Sequence, residues 1–129
     1  MVGGAGLVGV SLLLADQATS PTSFGARFDG VTDDTVAWQA MAKELAAAGG
    51  GEVRCPTGTS VISDTIDLPP NITLTGTGPD STIVRIVNGA RRPSLYGFRC
   101  RSGLRVADLA VHLDNRATWV AAFGFTEPA

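Results

Sequence analysis

The sequence is short of the residues from which most catalytic and metal centres are built. Its 129 residues hold one histidine, one tyrosine and two cysteines, and aromatic side chains make up only 6% of the chain. Cys55 and Cys100 are far apart and, with a lone His112, match no zinc-binding spacing. Each lies in an apolar strand-like run, where a free thiol behaves as a small hydrophobe. Spacing alone does not decide whether they pair. Lysine is scarcer still: nine of the ten basic residues are arginine, Lys43 being the exception, against twelve acidic ones and a net charge of −2. The basic stripe of a nucleic-acid-binding surface is therefore missing. So are a phosphate-binding loop, a nucleophile–His–acid arrangement and any metal-ligand spacing. No apolar run reaches the roughly 20 residues that span a bilayer.

What the chain does have is glycine (16), proline (7) and an apolar content of 44%. Together these predict one domain with a core and many tight turns. The opening MVGGAGLVGVSLLLA admits two readings. Leu7 to Ala15 has the length of a signal-peptide core, but no Lys or Arg precedes it and the region around Asp16-Gln17-Ala18 is not a clean cleavage site. Otherwise residues 1–15 are a Gly-rich apolar arm that packs on another chain. Residues 16–23 read as an extended polar connector around Pro21.

From Ser23 to Gly51 the chain is organised around one helix. Asp29-Gly30 is a turn dipeptide. Thr32 is a fitting N-cap, with Asp33 and Asp34 in the first turn, where negative charge favours the positive end of the helix dipole. Trp38, Met41, Leu45 and Ala48 fall on one helical face. Gly49-Gly50-Gly51 ends the helix and supplies a left-handed cap and a flexible exit. The expected helix covers residues 33–48.

After Glu52 the period changes to two. Short apolar runs follow at Val53–Cys55, Ser60–Ile62, Thr65–Leu68, Ile72–Leu74, Ile83–Ile86, Leu95–Cys100, Leu104–Val106, Leu109–Leu113 and Trp119–Phe125, separated by Gly, Pro and Asn turns. The turns are irregular, and few are the two-residue hairpins of an antiparallel meander. Asn71-Ile72-Thr73-Leu74-Thr75-Gly76 and Gly103-Leu104-Arg105-Val106-Ala107-Asp108-Leu109 repeat one pattern, about one coil plus an insertion apart. A solenoid is the expected architecture.

These residues resemble the N-terminal segment of the pectate-lyase-like right-handed β-helix proteins. Phe24-Gly25-Ala26, Asp29-Gly30-Val31-Thr32-Asp33-Asp34-Thr35, Gly49-Gly50-Gly51, Pro56-Thr57-Gly58-Thr59, Leu68-Pro69-Pro70-Asn71-Ile72-Thr73-Leu74 and Gly76-Thr77-Gly78 carry the resemblance, over roughly residues 23 to 114. The chain departs from the pattern at Ser23 (usually Asp), Phe28 (usually Gly), Cys55 (usually an apolar residue before the proline), Thr57 (usually Pro) and Ser60 (usually Tyr). The resemblance implies a mainly β fold, in which an N-terminal capping α-helix precedes the first coils of a right-handed parallel β-helix. Residues 1–22 then form the apolar arm and linker, 23–51 the loop and capping helix, and 52–129 the first, incomplete coils. Such segments occur in polysaccharide-degrading enzymes and in trimeric phage tailspikes and tail fibres, where a Gly-rich stretch like Gly6-Leu7-Val8-Gly9 often comes first. With coils of roughly 20 or more residues, about three are present. The helix caps one end and no second cap is evident, so the far end is expected to continue or to be covered by another chain.

The candidate chemistry is sparse. Asp29, Asp33 and Asp34 could form a calcium site or the acid pair of a glycosidase. Their context reads instead as a turn aspartate and two first-turn charges, with Asp33 and Asp34 pointing about 100° apart. His112 shares an outward strand face with Asp114 and could do acid–base work, or simply be solvated. Arg91, Arg92, Arg99, Arg101 and Arg105 are candidates for anionic sugars or an ordinary charged surface, with Arg99, Arg101 and Arg105 expected on one face. Trp119, Phe123 and Phe125 could stack on a sugar, but read as core or subunit contact. No catalytic, metal or cofactor residue is assigned, and no substrate-binding residue is identified. The reading that follows is a structural attachment segment of a phage tailspike or tail fibre. It is expected to be trimeric, to meet other virion proteins through residues 1–22, and to lie in the virion, joined to a body that recognises surface polysaccharide. The other reading is the front of a secreted polysaccharide lyase or hydrolase whose catalytic coils lie elsewhere. Neither implies a cofactor, nucleic acid or membrane span.

Overall fold

The computed structural model describes residues 18–87, 94–113 and 119–125. A 3₁₀ turn at Pro21–Phe24 is followed by β1 (Asp29–Asp33), α1 (Thr35–Ala48), β2 (Gly51–Arg54), β3 (Gly58–Ile62), β4 (Ile66–Asp67), β5 (Ile72–Thr75), β6 (Thr82–Ile86), β7 (Ser94–Cys100), β8 (Arg105–Ala107), β9 (Ala110–Leu113) and β10 (Trp119–Phe125). The fold is mainly β, with one α-helix among the described residues. That helix is too short to cross a membrane.

The strands form three sheets, ordered β2-β5-β8, β1-β3-β6-β9 and β4-β7-β10. All pairings are parallel. From β2 onward the chain visits the three sheets in fixed rotation, three times over. Parallel neighbours cannot be joined by a tight hairpin; here each return passes through the other two sheets, which is why the turns are irregular. The two look-alike segments are neighbours, with Leu74 beside Val106 and Thr73 beside Arg105. The second pass is longer than the first. Val61 pairs with Arg85, 24 positions on, whereas Ile66 pairs with Phe98, 32 positions on. The extra residues therefore fall between β6 and β7.

Strand alternation builds the core in ladders. Val53 and Leu74 face inward from the first sheet, Ile62, Ile86 and Val84 from the second, Ile66 and Phe98 from the third, all fully buried. Burying a side chain of this size stabilises by about 1.5–3 kcal/mol. On the last described strands of two sheets the same inward positions are half open, Val106 and Leu113 each being 40% exposed. Leu113 pairs with buried Ile86, but no further strand lies over it among the described residues. Cys55 and Cys100 are buried and form no disulfide, and burial pushes the Cys55 thiol up to about 12.

Helix α1 packs over the first end of this core through Trp38, Met41 and Leu45, joined by Ala37 and Ala42. Trp38 reaches deepest, meeting Phe98 edge-on at 5.3 Å between ring centroids. Two expectations about the helix are corrected. Ala48 is exposed, and the helix starts at Thr35, not at residue 33. Residues 29–33 are held as a strand instead, with Asp29 beside Thr59 and Asp33 beside Val61. Thr32 is not the N-cap, because its amide and hydroxyl are both bonded to the Asp29 carboxylate. The glycine stop also works differently from a flexible exit. A Cβ on Gly50 would lie 2.5 Å from the Asn71 carbonyl oxygen, and Gly51 donates its N–H to that same oxygen at 3.0 Å. The glycines allow the helix end to press onto the next pass of the chain.

Phe28 holds a left-handed backbone, φ 51, where a side chain costs about 1–2 kcal/mol relative to glycine. Its ring is buried 6.3 Å from the Trp38 ring, which offsets that strain. In chemical denaturation Phe28→Ala should therefore destabilise more than Phe28→Gly, by about 1 kcal/mol. Equal losses would show that the backbone there is unstrained.

Candidate functional site

The densest polar constellation is where the sequence placed it, around Asp29, Asp33 and Asp34, but each carboxylate is already engaged. Asp34 is 2% exposed. Its Oδ1 accepts the Arg27 N–H at 2.9 Å, and its Oδ2 accepts the Phe28 N–H at 3.3 Å and the Ser60 hydroxyl at 2.7 Å. Ser60 Oγ in turn accepts Trp38 Nε1–H at 2.9 Å. The Asp34 main chain continues the junction: its N–H donates to the Val61 carbonyl and its carbonyl accepts the Trp38 N–H. One residue thus ties the incoming loop, β3 and α1 together.

Asp33 caps the helix from outside. It accepts the Thr35 N–H at 3.0 Å together with the Thr35 and Ser63 hydroxyls. Burial raises the Asp33 carboxyl, but the Ser63 and Thr35 donors outweigh it and hold the group below the usual aspartate range. Asp29 accepts the N–H groups of Val31 and Thr32 and the Thr32 hydroxyl. The Thr32 amide is the largest cause, followed by the Thr32 hydroxyl and the Val31 amide, and together they bring Asp29 from 3.8 to about 2. The reading of Asp33 and Asp34 as first-turn helix charges is replaced by two N-terminal anchors. They do not form an acid pair across an open cleft, since one of them is buried. Ser60 is the residue that the sequence reading passed over as a local departure. Its role depends on Trp38 and Asp34, which are distant in the sequence, so no local signal marked it.

The outer face of the second sheet carries the remaining open chemistry. Register sets Val61, Arg85 and His112 side by side, beyond Asp33, with neighbouring strands about 4.8 Å apart. Arg85 and His112 are both exposed, and among the described residues neither has an acidic partner. The sequence had paired His112 with Asp114, which lies outside the described residues, as do Arg91 and Arg92. The expected common face of Arg99, Arg101 and Arg105 is not formed as a set. Arg99 on β7 is bound to Asp67 at 3.3 Å, Arg101 follows β7, and Arg105 lies on β8 of a different sheet. Trp119, Phe123 and Phe125 lie on β10, paired with Ser94, Phe98 and Cys100 of β7. Among the described residues no three His, Cys, Asp or Glu side chains are grouped to hold a metal ion.

Residues 19–96 match the family described as rhamnogalacturonase A/epimerase, pectate lyase-like. The chain is 39% identical over 74 residues to mannuronan C5-epimerase AlgE6 of Azotobacter vinelandii, covering 52% of this chain and 8% of that protein. It is 37% identical over 79 residues to the preneck appendage protein of Bacillus phage PZA, covering 61% and 9%. The chain thus spans less than a tenth of the length of these curated relatives. Among solved structures, the AlgE6 A-module superposes with a TM-score of 0.64 at 30% identity, over 83% of this chain and 31% of that one. ORF18 of Geobacillus virus E2 gives 0.60 at 29%, over 81% and 22%.

Two predictions test the junction. Ser60→Ala leaves Trp38 Nε1–H without its acceptor in a buried place and should cost about 1–3 kcal/mol in denaturant unfolding. Trp38→Ala should cost more, about 3–5 kcal/mol; an unchanged midpoint for both would mean that α1 does not cover the core. The second prediction concerns pH. Carboxyls held below their unfolded values contribute stability that is present above the unfolded value and lost as pH falls through the folded one. For Asp29 that window runs from 3.8 down to about 2. Urea midpoints should fall across it, and Asp29→Asn should flatten the fall.

Proposed function

We propose, from the premise that the chain belongs to the rhamnogalacturonase A/epimerase, pectate lyase-like family, that it is the capped front of a right-handed β-helix in a phage tail appendage. In this reading residues 1–22 are an arm toward other virion proteins, residues 23–51 the loop and capping helix, and residues 52–129 the first coils of the body. The assembled protein is a trimer in the virion, and its body recognises surface polysaccharide. The observation that carries the reading is the likeness, in sequence and in fold, to two phage proteins. The geometry supports it from another direction. Of the three aspartates that could have formed a catalytic pair, Asp33 and Asp34 tie the helix start to the first coil and Asp29 closes the turn before it, so in this reading the segment works as scaffold.

A second reading rests on the epimerase likeness and on the unpartnered Arg85 and His112. Here the same cap opens a secreted enzyme acting on an acidic polysaccharide, with this outer sheet face along the substrate path.

The two readings separate on the full reading frame. Immunogold labelling of phage particles with antibodies against residues 23–51 should mark the tail, and light scattering of the purified protein should give three copies. Absence from particles, together with a monomer that converts or cleaves mannuronan, would overturn the phage reading.

A further inference from the structure

Two clefts adjoin along α1. The first, about 320 Å³, lies between the helix and the start of β4, with Gln39, Lys43 and Ala46 on one wall and Asp67 on the other. The second, about 360 Å³, continues past Ala46 and Asp67 to Pro69, Pro70 and Arg101. Because they share Ala46 and Asp67, they form one groove. It follows the helix stripe 39–43–46, whose residues lie on one face, and then crosses the corner before β5.

The groove has a definite charge pattern. Lys43 and Arg101 are exposed, and among the described residues neither has an acidic partner. The one carboxylate on its walls, Asp67, is already bound to Arg99. The groove is therefore locally positive in a chain whose net charge is −2. Its floor is smooth and weakly polar: Ala42, Leu68 and Pro69 are buried there, and the two prolines offer no backbone N–H. It presents no aromatic face to a sugar ring.

We propose that this groove docks an acidic, extended peptide segment of a partner protein, its carboxylates meeting Lys43 and Arg101 and its small side chains lying on Ala42, Ala46 and Pro69. Unpaired cations at the rim of an otherwise acidic protein steer and register a negatively charged partner. The site borders α1 and β4 of the third sheet, whereas Arg85 and His112 lie on strands of the second. It stands whether that face serves a phage body or an enzyme.

Lys43 is the only lysine, which gives the test a single chemical handle. The full chain is titrated into a fluorescein-labelled peptide of alternating Glu and Ala, followed by anisotropy and by carbodiimide coupling of bound peptide to lysine amine. Binding is expected to weaken with salt, to couple at Lys43, and to fall about tenfold or more in the Lys43→Glu/Arg101→Glu variant. Arg54→Glu, on the first sheet, should leave it unchanged. Equal affinity in the double variant, or an equal loss in Arg54→Glu, overturns the proposal. Displacement of the peptide by mannuronan oligosaccharide assigns the groove to an acidic sugar instead. Concentration-dependent self-association that the double variant abolishes assigns it to a second copy of the chain.

Discussion

The buried Asp34 carboxylate is the constraint on which the rest of this structure depends. A polar side chain with 2% exposure is costly unless its oxygens are engaged by hydrogen bonds. Here two backbone amides and a serine hydroxyl engage them. Those donors come from the loop before β1 and from β3, and the farther of them, Ser60, lies 26 positions from Asp34 in the chain. The acceptor itself begins α1. Satisfying one carboxylate therefore fixes three segments relative to one another before any apolar packing is counted. The tryptophan that fills the end of the core is then oriented through the same serine. A helix lying on a stack of strands by hydrophobic contact alone could slide; this one is registered by polar geometry.

The parallel passes raise a second demand, which is met at the corners. Each time the chain leaves one sheet for the next, backbone groups must find partners off the ladders. At one corner Gly51 donates to Asn71, and Asn71 to Ser102, each at 3.0 Å. At another, the hydroxyls of Thr57, Thr77 and Thr82 form a chain that ends on the Pro56 carbonyl. The corners thus stack as regularly as the strands do. The second pass shows how such a stack tolerates length: it gains residues between β6 and β7 while the corner at Asn71 and Ser102 keeps its bond.

What could be read from the sequence follows from which forces act locally. Strand positions were legible because inward and outward residues alternate, and β10 has the bounds its apolar run suggested. The glycine stop and the apolar face at Trp38, Met41 and Leu45 were legible from helical spacing. The start of the helix was not. Asp33-Asp34 after Thr32 has the composition of a helix first turn, but β3 offers residues 29–33 a partner strand that only tertiary structure supplies. Ser60 was illegible for a related reason. Its hydroxyl is meaningful only beside Trp38 and Asp34, which the chain reaches from the other side of the helix. Phe28 was visible as a departure from glycine, but its left-handed backbone and its contact with Trp38 belong to the fold.

The same distinction bears on function. In the sequence the three aspartates looked the most chemical because they were dense, and density of polar residues is also what a buried junction requires. The better guide is the polar group left without a partner. Asp29, Asp33 and Asp34 accept hydrogen bonds from within the chain and have their working roles there. Lys43, Arg101, Arg85 and His112 are exposed and unpaired among the described residues, and they fall on two separate surfaces. One lies beside the capping helix and the other on the outer face of the second sheet. The acids of this segment are spent inside it, on the helix start and the turn before it, whereas Lys43, Arg101, Arg85 and His112 face outward.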